Sequence, residues 1–149
     1  MLPNDASFVS LNISDLPLIL MVEQYIGIYA WPQHSYEMAF RRGWEVVGVY
    51  EGDTLQGVVV YQIVFEQCTL LNIIISSSAL HKGVASKLMG RMLEDASQKR
   101  CDSVFLEVRS NNVAAVNLYQ KLGFEIENTR IGYYRYHNQS HDAYEMALQ

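Results

Sequence analysis

The sequence predicts one domain of the mixed α/β class, with a mixed, mostly antiparallel central sheet that carries helices on both faces. The chain has 149 residues, about the length of a single average domain. Half of the residues are apolar and 18% are charged, which favours a buried core over disorder. Strand, helix and strand patterns follow one another over residues 68–108, an order that implies a parallel pair, whereas hairpins elsewhere imply antiparallel pairs.

The first third of the chain predicts one short strand followed by two helices. Residues 8–13 alternate roughly as a strand does. Ser14 is a suitable N-cap for a helix that runs to about residue 30, where a Trp-Pro pair stops it. A second short helix is predicted over residues 35–42, ended by Gly43.

The middle of the chain predicts three strands. Residues 44–50 and 57–65 form a hairpin around a turn at residues 51–53. The third strand covers residues 68–75 and is apolar on both faces. We therefore expect it to lie in the centre of the sheet, covered on both sides.

The last third alternates helices and strands. We expect a helix over residues 83–99, a buried strand over residues 104–108, and a helix that starts at residues 111–112 and ends near residue 122, with Gly123 as its cap. A final pair of strands, joined by a polar, aromatic loop, is predicted at residues 124–130 and 143–148. The predicted order is β-α-α-β-β-β-α-β-α-β-β.

Charge and composition argue against several classes of function. The 16 acidic and 11 basic residues give a net charge of −5 without any long run of Lys or Arg, which argues against direct nucleic-acid binding. Residues 16–30 are too few and too polar to span a bilayer, and the N-terminus lacks the basic region of a signal peptide. Cys68 and Cys101 form no CxxC motif, which argues against a zinc site or a disulfide framework. We expect a reduced, cytoplasmic protein without a membrane partner, as a monomer or weak dimer.

The segment HKGVAS at residues 81–86 could bind a phosphate group. It follows the buried strand and opens a helix, and a helix start presents free backbone N–H groups and the positive end of its dipole. Gly83 and Ala85 have little or no side chain, so a diphosphate could approach the backbone, and Lys82 could add positive charge. The alternative is that the loop conformation alone requires Gly83.

Two further side chains are candidates for acid–base chemistry. Glu107 interrupts an apolar strand, and strict alternation turns it away from the apolar residues beside it. It could act as a base at a strand end, or it could merely face solvent or pair with Arg109. Tyr119 lies on an amphipathic helix, where it could be a core aromatic with its hydroxyl at the rim.

Several motifs, taken in order, resemble those of a known superfamily. The segment NxxAxxLYxKLGF at residues 112–124 resembles a signature of the GNAT superfamily of acetyl-coenzyme A-dependent N-acetyltransferases. The strand LLNIII, the loop HKGVAS and the segment LEVRSNN fall where that superfamily places its cofactor motif. The resemblance implies a single GNAT domain over residues 1–149. Within the superfamily, the chain looks most like bacterial ribosomal-protein-alanine N-acetyltransferases, which acetylate the α-amino group of a small-subunit ribosomal protein.

The resemblance implies roles for individual residues. Glu107 matches the base that takes a proton from the acceptor amine, directly or through water, and Tyr119 matches the acid that protonates the departing thiolate. Asn112 matches a contact to the pantetheine arm, and the central strand offers backbone hydrogen bonds that hold this arm and polarise the thioester. The implied cofactor-binding residues are Ile73, Ile74, Ile75, Lys82, Gly83, Val84, Ala85, Ser86, Asn112 and Tyr119. The implied co-substrate is acetyl-CoA, and no metal is implied.

The implied acceptor is the α-amine at a protein N-terminus, such as that of a small-subunit ribosomal protein. Its reference pKa of about 7.7–8.0, against about 10.4 for lysine, leaves it neutral far more often at neutral pH, so a modest base suffices. One alternative is a GNAT enzyme for a small amine or another peptide. The other is a CoA-binding module without turnover, suggested by Leu80 where relatives usually carry Gln or Arg, by Ala85 in place of glycine, and by Ser-Ser-Ser where relatives often carry Asp-Pro.

Aromatic and histidine residues outside these motifs have open assignments. The residues that fall where this fold shapes an acceptor groove, and that could equally be packing residues, are Trp31, Pro32, Tyr133, Tyr134 and Tyr136. His137 and His141 are expected to be surface histidines rather than metal ligands. The negative net charge predicts a surface that attracts a cationic protein terminus, while Lys82 and a helix start meet the anionic cofactor.

Overall fold

The computed structural model describes residues 8–24, 26, 29–136 and 138–149. The expectations for residues 1–7, for His137 and for the side chain of Tyr136 lie outside the described residues. The strands are β1 (Phe8–Ser10), β2 (Glu45–Glu51), β3 (Thr54–Val64), β4 (Gln67–Ile75), β5 (Ser103–Arg109), β6 (Glu125–Tyr136) and β7 (Gln139–Leu148). The α-helices are α1 (Leu16–Glu23), α2 (Gln33–Arg41), α3 (Val84–Gln98) and α4 (Val113–Lys121), with short 3-10 turns at Ile13–Asp15 and Ser77–Ala79.

All these strands join one sheet in the order β1-β2-β3-β4-β5-β7-β6. The β4–β5 pair is parallel, and the other described pairs are antiparallel. One apolar cluster packs α3 and α4 on one face, and a second cluster packs α1 and α2 on the other. The predicted mixed, mostly antiparallel sheet with helices on both faces is confirmed, and so is the order of elements.

The two helical layers bury the centres of their apolar stripes against the sheet. Leu88, Met89 and Met92 of α3 are 0% exposed, as the helical spacing of apolar residues predicts. On the other face Ile19 and Tyr36 are equally buried. Burying a side chain of this size contributes about 1.5–3 kcal/mol, so both layers hold the sheet firmly between them.

The N-terminal helix differs from the prediction at both ends. Asn12, and not Ser14, provides the side-chain cap: it caps the 3-10 turn Ile13–Asp15 that leads into α1, and its side chain accepts the backbone N–H of Ser14 at 3.0 Å. Asp15 completes this capping box by accepting the backbone N–H of Asn12 at 2.8 Å. The helix also ends earlier than predicted, at Glu23, whose carboxylate accepts the backbone N–H of Trp31 at 2.8 Å. A long-range hydrogen bond therefore replaces the extra turns that the local pattern predicts.

The final hairpin is longer than predicted, since much of the expected loop continues β6 and β7. The register shifts between Arg130 and Tyr134, where residues 131–133 of β6 stand opposite Asp142 alone. Gly132 has a φ of +64° there, and its N–H donates to Asp142 Oδ1 at 2.9 Å. A bulge this wide interrupts the two-residue alternation of a strand, which explains why the sequence pattern resembles a loop.

No described helix is long and apolar enough to cross a membrane. Cys68 and Cys101 are both free thiols. Cys68 is fully buried, and this burial raises the pKa of its thiol to about 12.

Candidate active site

The parallel strands β4 and β5 separate soon after they pair. Within the described residues, their ladder joins residues 67–69 to residues 103–105. Beyond that point β4 stays with β3 as far as Ile75, while β5 pairs with β7 as far as Arg109. The backbone groups on the β5 side of residues 71–75 therefore lie along an open strand edge, where an extended ligand could pair with them.

A β-bulge in β4 lies at the point where the two strands separate. The register with β3 shifts between Val60 and Tyr61, so that Leu71 is the extra residue. As a result, two consecutive side chains turn towards α1 and α2: Leu71 packs against their cluster, and Asn72 donates to the Tyr36 hydroxyl at 3.0 Å.

A cleft of about 540 Å³ lies at this opening, and the charged residues that line it are all acidic. Its lining residues come from β4, β5, β6 and β7, namely Thr69, Leu70, Leu71, Phe105, Leu106, Glu107, Glu127, Asn128, Tyr133, Tyr134, Glu145 and Met146. Three of them are carboxylates, and none of the described lining residues is Lys or Arg. The cleft can therefore attract a cationic group.

The structure places Glu107 in this cleft. Leu106 and Val108 beside it are 2% and 6% exposed in the core, so the strand alternation turns Glu107 to the other face, as predicted. Glu145 of β7 is its cross-strand partner, and Glu145 accepts a hydrogen bond from Asn128 at 2.7 Å. Two carboxylates thus face the cleft side by side.

Arg109 contacts an aromatic ring in the structure. Its guanidinium carbon lies 3.4 Å from the centre of the Tyr29 ring, and its Nη1 donates to Asn111 at 3.2 Å. These contacts direct Arg109 towards the segment between α1 and α2.

Tyr119 lies on the opposite side of the sheet, in α4. Its side chain is 4% exposed, and its ring packs edge-on against Phe124 with the centroids 6.0 Å apart. Burial, and to a lesser extent the Tyr134 phenol, raise the pKa of Tyr119 to about 12, so the hydroxyl keeps its proton at neutral pH. The ring is a core aromatic, and its hydroxyl remains a donor.

The loop before α3 leaves open space around its backbone. Gly83 is the N-cap residue with a left-handed φ of 76°, and no side chain caps the helix there. A Cβ atom at Gly83 would meet nothing within 4 Å, so a ligand can approach the backbone. Lys82 and Ser86 are exposed and Ala85 is half-buried, whereas Val84 packs in the core and offers only its backbone. The positive φ also agrees with the alternative that the loop conformation requires glycine.

The other predicted cofactor contacts lie around the same opening. Ile73, Ile74 and Ile75 form the end of β4, opposite β3 and beyond the ladder with β5. Asn112 is the N-cap of α4, and its Oδ1 accepts the N–H of Ala115 at 3.3 Å. The oxygen of the Asn112 side chain thus serves the helix, and its NH₂ group is the part that can donate to a ligand.

A buried polar chain next to the opening escaped the sequence analysis. The Glu23 carboxylate is 3% exposed, and it accepts the backbone N–H of Trp31 and the hydroxyl of Tyr36. Burial raises the pKa of Glu23, and these hydrogen bonds lower it in part. One signal could have revealed the chain: Glu23 is a carboxylate in an otherwise apolar helix, a position where a buried acid needs partners.

The remaining aromatic and histidine residues divide between cleft and core. Tyr133 and Tyr134 line the cleft, whereas Trp31 packs edge-on against Tyr36 with the centroids 5.2 Å apart and Pro32 caps α2. The expectation of a surface position is wrong for His141, which is half-buried: its ring lies 6.1 Å from Tyr29, and its Nε2 is buried without a hydrogen-bond partner. No group of His, Cys, Asp or Glu that could hold a metal ion occurs among the described residues.

Comparison with known proteins identifies the family. The pattern of the acetyltransferase (GNAT) family matches residues 16–124. The chain is 26% identical to the ribosomal protein bS18-alanine N-acetyltransferase of Escherichia coli over 139 residues, which covers 93% of this chain and 94% of that protein.

Solved structures agree. The crystal structure of the ribosomal-protein-S18-alanine N-acetyltransferase from Escherichia coli superimposes with a TM-score of 0.89 at 26% identity, covering 95% of this chain and 91% of that one. Arabidopsis thaliana NAA60 in complex with acetyl-CoA has the same fold, with a TM-score of 0.84 at 18% identity and coverage of 95% and 96%. The chain therefore belongs to the GNAT family, and it is an N-acetyltransferase of the kind that uses acetyl-CoA.

Proposed function

We propose that the chain transfers the acetyl group of acetyl-CoA to the α-amine at the N-terminus of a protein, and that this protein is a ribosomal protein. The observation that carries the proposal is the acidic cleft at the opening between β4 and β5, beside the open edge of β4. The ribosomal acceptor is suggested by the 26% identity to the bS18-alanine enzyme over 93% of this chain.

The residues around the opening suit the extended and anionic parts of acetyl-CoA. The pantetheine arm carries amide groups, which can pair with the backbone of residues 73–75 as a neighbouring strand would. The diphosphate suits the backbone N–H groups at the start of α3, where Lys82 adds a positive charge and Gly83 leaves space. Leu80 stands where relatives usually carry a polar Gln or Arg side chain, but the backbone N–H groups at the start of α3 do not depend on this side chain. Asn112 can donate from its NH₂ group to the pantetheine arm.

The charges around the opening suit two substrates of opposite sign. Glu107, Glu127 and Glu145 line the acceptor cleft, so a protonated protein terminus is drawn towards them. Arg130 offsets this charge only in part, since its guanidinium lies 3.9 Å from Glu145 on a largely exposed hairpin. The anionic cofactor binds at the other end of the opening, at the start of α3.

Glu107 serves as the base in the proposed mechanism. The acceptor nitrogen must be neutral when it attacks the thioester carbonyl carbon, and it loses a proton as the C–N bond forms. Glu107 accepts this proton, directly or through a water molecule in the cleft. Because its carboxylate is exposed, the proton can then pass to solvent.

Tyr119 serves as the donor to the leaving group. As the C–S bond breaks, negative charge collects on the sulfur, and a neutral phenol stabilises it by donating a hydrogen bond. Burial raises the pKa of Tyr119 to about 12, so the phenol is still protonated at neutral and mildly alkaline pH, where the α-amine becomes neutral. An ordinary thiol has a pKa near 8.5, so the thiolate is readily protonated once released.

The proposal is tested by incubating the protein with acetyl-CoA and three acceptors: a peptide with a free α-amine, the same peptide with a blocked α-amine, and a small polyamine. Acetylation of the free α-amine alone is expected. Turnover of the polyamine without the peptide would assign the enzyme to small amines instead.

The ribosomal acceptor has a separate test. Mass spectrometry of ribosomal protein N-termini, from cells with and without this protein, should reveal one terminus that loses its acetyl group when the protein is absent. If every ribosomal terminus stays unchanged while the peptide reaction proceeds, the acceptor is another protein.

A further inference from the structure

One buried hydrogen-bonded chain plays no part in the mechanism above. Glu23 ends α1, Tyr36 lies in α2 and Asn72 lies on β4, and hydrogen bonds join them in that order. Glu23 and Tyr36 are 3% and 0% exposed. Burying a carboxylate is unfavourable unless its partners compensate, and an apolar residue would pack the same site at lower cost. The presence of an acid there points to a role beyond packing.

The donors and acceptors in this chain can be assigned from its chemistry. The Trp31 N–H donates to one oxygen of Glu23 at 2.8 Å, and the Tyr36 hydroxyl donates to the other. A tyrosine hydroxyl has one hydrogen, so the Tyr36 oxygen must accept from the Asn72 amide at 3.0 Å. Glu23 therefore determines, through Tyr36, which way the amide group of Asn72 points.

Two described residues between α1 and α2 are held by contacts on the face of the sheet that carries Glu107. At one described point Trp31 binds Glu23 through its N–H and packs edge-on against Tyr36. At another, Tyr29 stacks against the guanidinium of Arg109 at the end of β5. Asn72 ties this hydrogen-bonded chain to β4, and Tyr29 contacts β5 through Arg109. The described residues Tyr29 and Trp31 are therefore linked to both of the strands that separate, on the face that carries the acidic cleft.

We propose that Glu23 is a positioning residue for the acceptor: by holding Trp31 directly and Asn72 through Tyr36, it fixes these two residues beside the path that leads to Glu107. This role rests on the proposed function, because it concerns the binding of the acceptor amine. Its signature is kinetic. Breaking this hydrogen-bonded chain raises KM for the peptide and leaves acetyl-CoA binding unchanged, because the cofactor pairs with backbone groups of residues 73–75 and of the start of α3, which the side-chain changes leave in place.

Two variants break the chain at different links. Tyr36→Phe removes the hydroxyl that joins Glu23 to Asn72, and Asn72→Ala removes the link to β4. Each should raise KM for the peptide by about fivefold or more, with kcat and the Kd for acetyl-CoA within about twofold of the wild type. The matched control is Tyr61→Phe, which removes another buried hydroxyl: Tyr61 is 1% exposed and donates to Asp95 at 2.9 Å on the opposite face of the sheet. It should leave all three constants unchanged.

A rescue experiment tests the direction of the hydrogen bonds. Asn72→Asp places an acceptor against the Tyr36 oxygen, whose proton already serves Glu23, so this link is lost and KM for the peptide should rise. Adding Glu23→Gln supplies a donor to the Tyr36 oxygen and frees the hydroxyl proton for the new carboxylate. The KM of the double variant for the peptide should therefore return most of the way to the wild-type value.

The outcomes separate this role from the proposed function. If the wild type acetylates no α-amine, the proposed function is wrong, and the positioning role is lost with it. If the wild type is active but Tyr36→Phe keeps the wild-type KM, or Tyr61→Phe raises KM as much, the positioning role is wrong and the proposed function stands. If Tyr36→Phe fails to fold, Asn72→Ala and the rescue decide in the same way, because Asn72 is only half-buried.

Discussion

The two proposed catalytic side chains sit in opposite environments, and each environment suits its task. Glu107 faces an open cleft, where a proton taken from the acceptor can pass to water. Tyr119 is 4% exposed, so its phenol is shielded from water and keeps its proton until charge develops on the sulfur. In the proposed mechanism, the two groups act from opposite faces of the sheet on a thioester bound in the gap between β4 and β5.

The role of Glu107 predicts a specific kinetic loss. Glu107→Gln keeps the size of the side chain but cannot take the amine proton, so kcat for the peptide should fall by about 10²-fold or more. Calorimetry should show acetyl-CoA binding nearly as in the wild type. Glu145→Gln, on the neighbouring strand, is the comparison: it lowers the negative charge of the cleft and should raise KM for the peptide with little loss of kcat. Equal kinetic losses in the two variants would remove the special role of Glu107.

The role of Tyr119 predicts both a rate and a pH profile. Tyr119→Phe should lower kcat by about 10-fold to 10²-fold while acetyl-CoA still binds. Because burial raises the pKa of Tyr119 to about 12, this phenol should not ionise between pH 8 and 10. The rates of the wild type and of the variant should therefore depend on pH in the same way over this range. Full activity of Tyr119→Phe would reject the donor role, and a decline near pH 9 abolished by the variant would reject the raised pKa.

Sequence reasoning finds a functional residue when it breaks a local pattern. Glu107 interrupts an apolar strand, and the structure turns it away from the core as alternation predicts. Glu23 also interrupts an apolar segment, but its partners Trp31, Tyr36 and Asn72 come from distant parts of the chain. No local pattern shows that Trp31 and Tyr36 both donate to Glu23, or that Asn72 donates to Tyr36, so sequence reasoning cannot identify the partners of this acid.

At the scale of elements, α3 and β3 pack closely against the end of β4, the strand that borders the opening between β4 and β5. Gly57 of β3 lies opposite Ile75 at the end of β4. A Cβ atom at Gly57 would lie 2.9 Å from the Ile74 carbonyl oxygen and 3.0 Å from Leu88 Cδ1 of α3. Glycine at this position therefore allows the helix and the end of β4 to pack against each other.

This close approach predicts a contrast between two glycine substitutions. Gly57→Ala must push apart β4 and α3, so the free energy of unfolding should fall by about 1–3 kcal/mol and acetyl-CoA binding should weaken. Gly90→Ala in α3 is the matched control, because its Cβ would meet nothing within 4 Å. It should raise the free energy of unfolding by about 0.5–1 kcal/mol through helix propensity. Urea unfolding measures both, and a neutral Gly57→Ala would contradict the packing.

The elements with regular patterns could be predicted, and those shaped by distant contacts could not. The apolar run of β4 and the helical spacing of α3 predict both elements to within a residue or two. The end of α1 depends on the bond from Trp31 to Glu23, and the length of β6 depends on a bulge held by Gly132 and Asp142. Local propensity carries no information about such long-range partners.

At the scale of the whole molecule, buried weak acids make stability depend on alkaline pH. Burial raises the pKa of the Cys68 thiol from 9.0 to about 12 and that of the Tyr119 phenol from 10.0 to about 12. Folding therefore favours the protonated forms. Their contribution is complete below the unfolded values and is lost as the pH rises towards the folded values.

The free energy of unfolding should accordingly fall between pH 9 and about 11, by up to about 1.4 kcal/mol per pH unit for each fully buried group. Cys68→Ala should flatten this dependence. Cys101→Ala is the control, since its thiol is only half-buried and should change the slope much less. Urea unfolding across this pH range provides the measurement, and identical slopes for the wild type and Cys68→Ala would contradict the buried thiol.

The molecule as a whole combines a family fold with an acidic acceptor side. The net charge of −5 is concentrated in part at the cleft, through Glu107, Glu127 and Glu145. Membership of the family identifies acetyl-CoA as the acetyl donor. In the proposed function, a protein α-amine enters the acidic cleft, and this amine, not a lysine side chain, receives the acetyl group.

The most direct test of this claim uses a peptide that carries both a free α-amine and an internal lysine. The protein is incubated with acetyl-CoA and the peptide, and fragmentation in the mass spectrometer locates the acetyl group. The wild type should place it on the α-amine, and Glu107→Gln should place little there in the same time. Acetylation of the lysine, or of neither amine, would contradict the account.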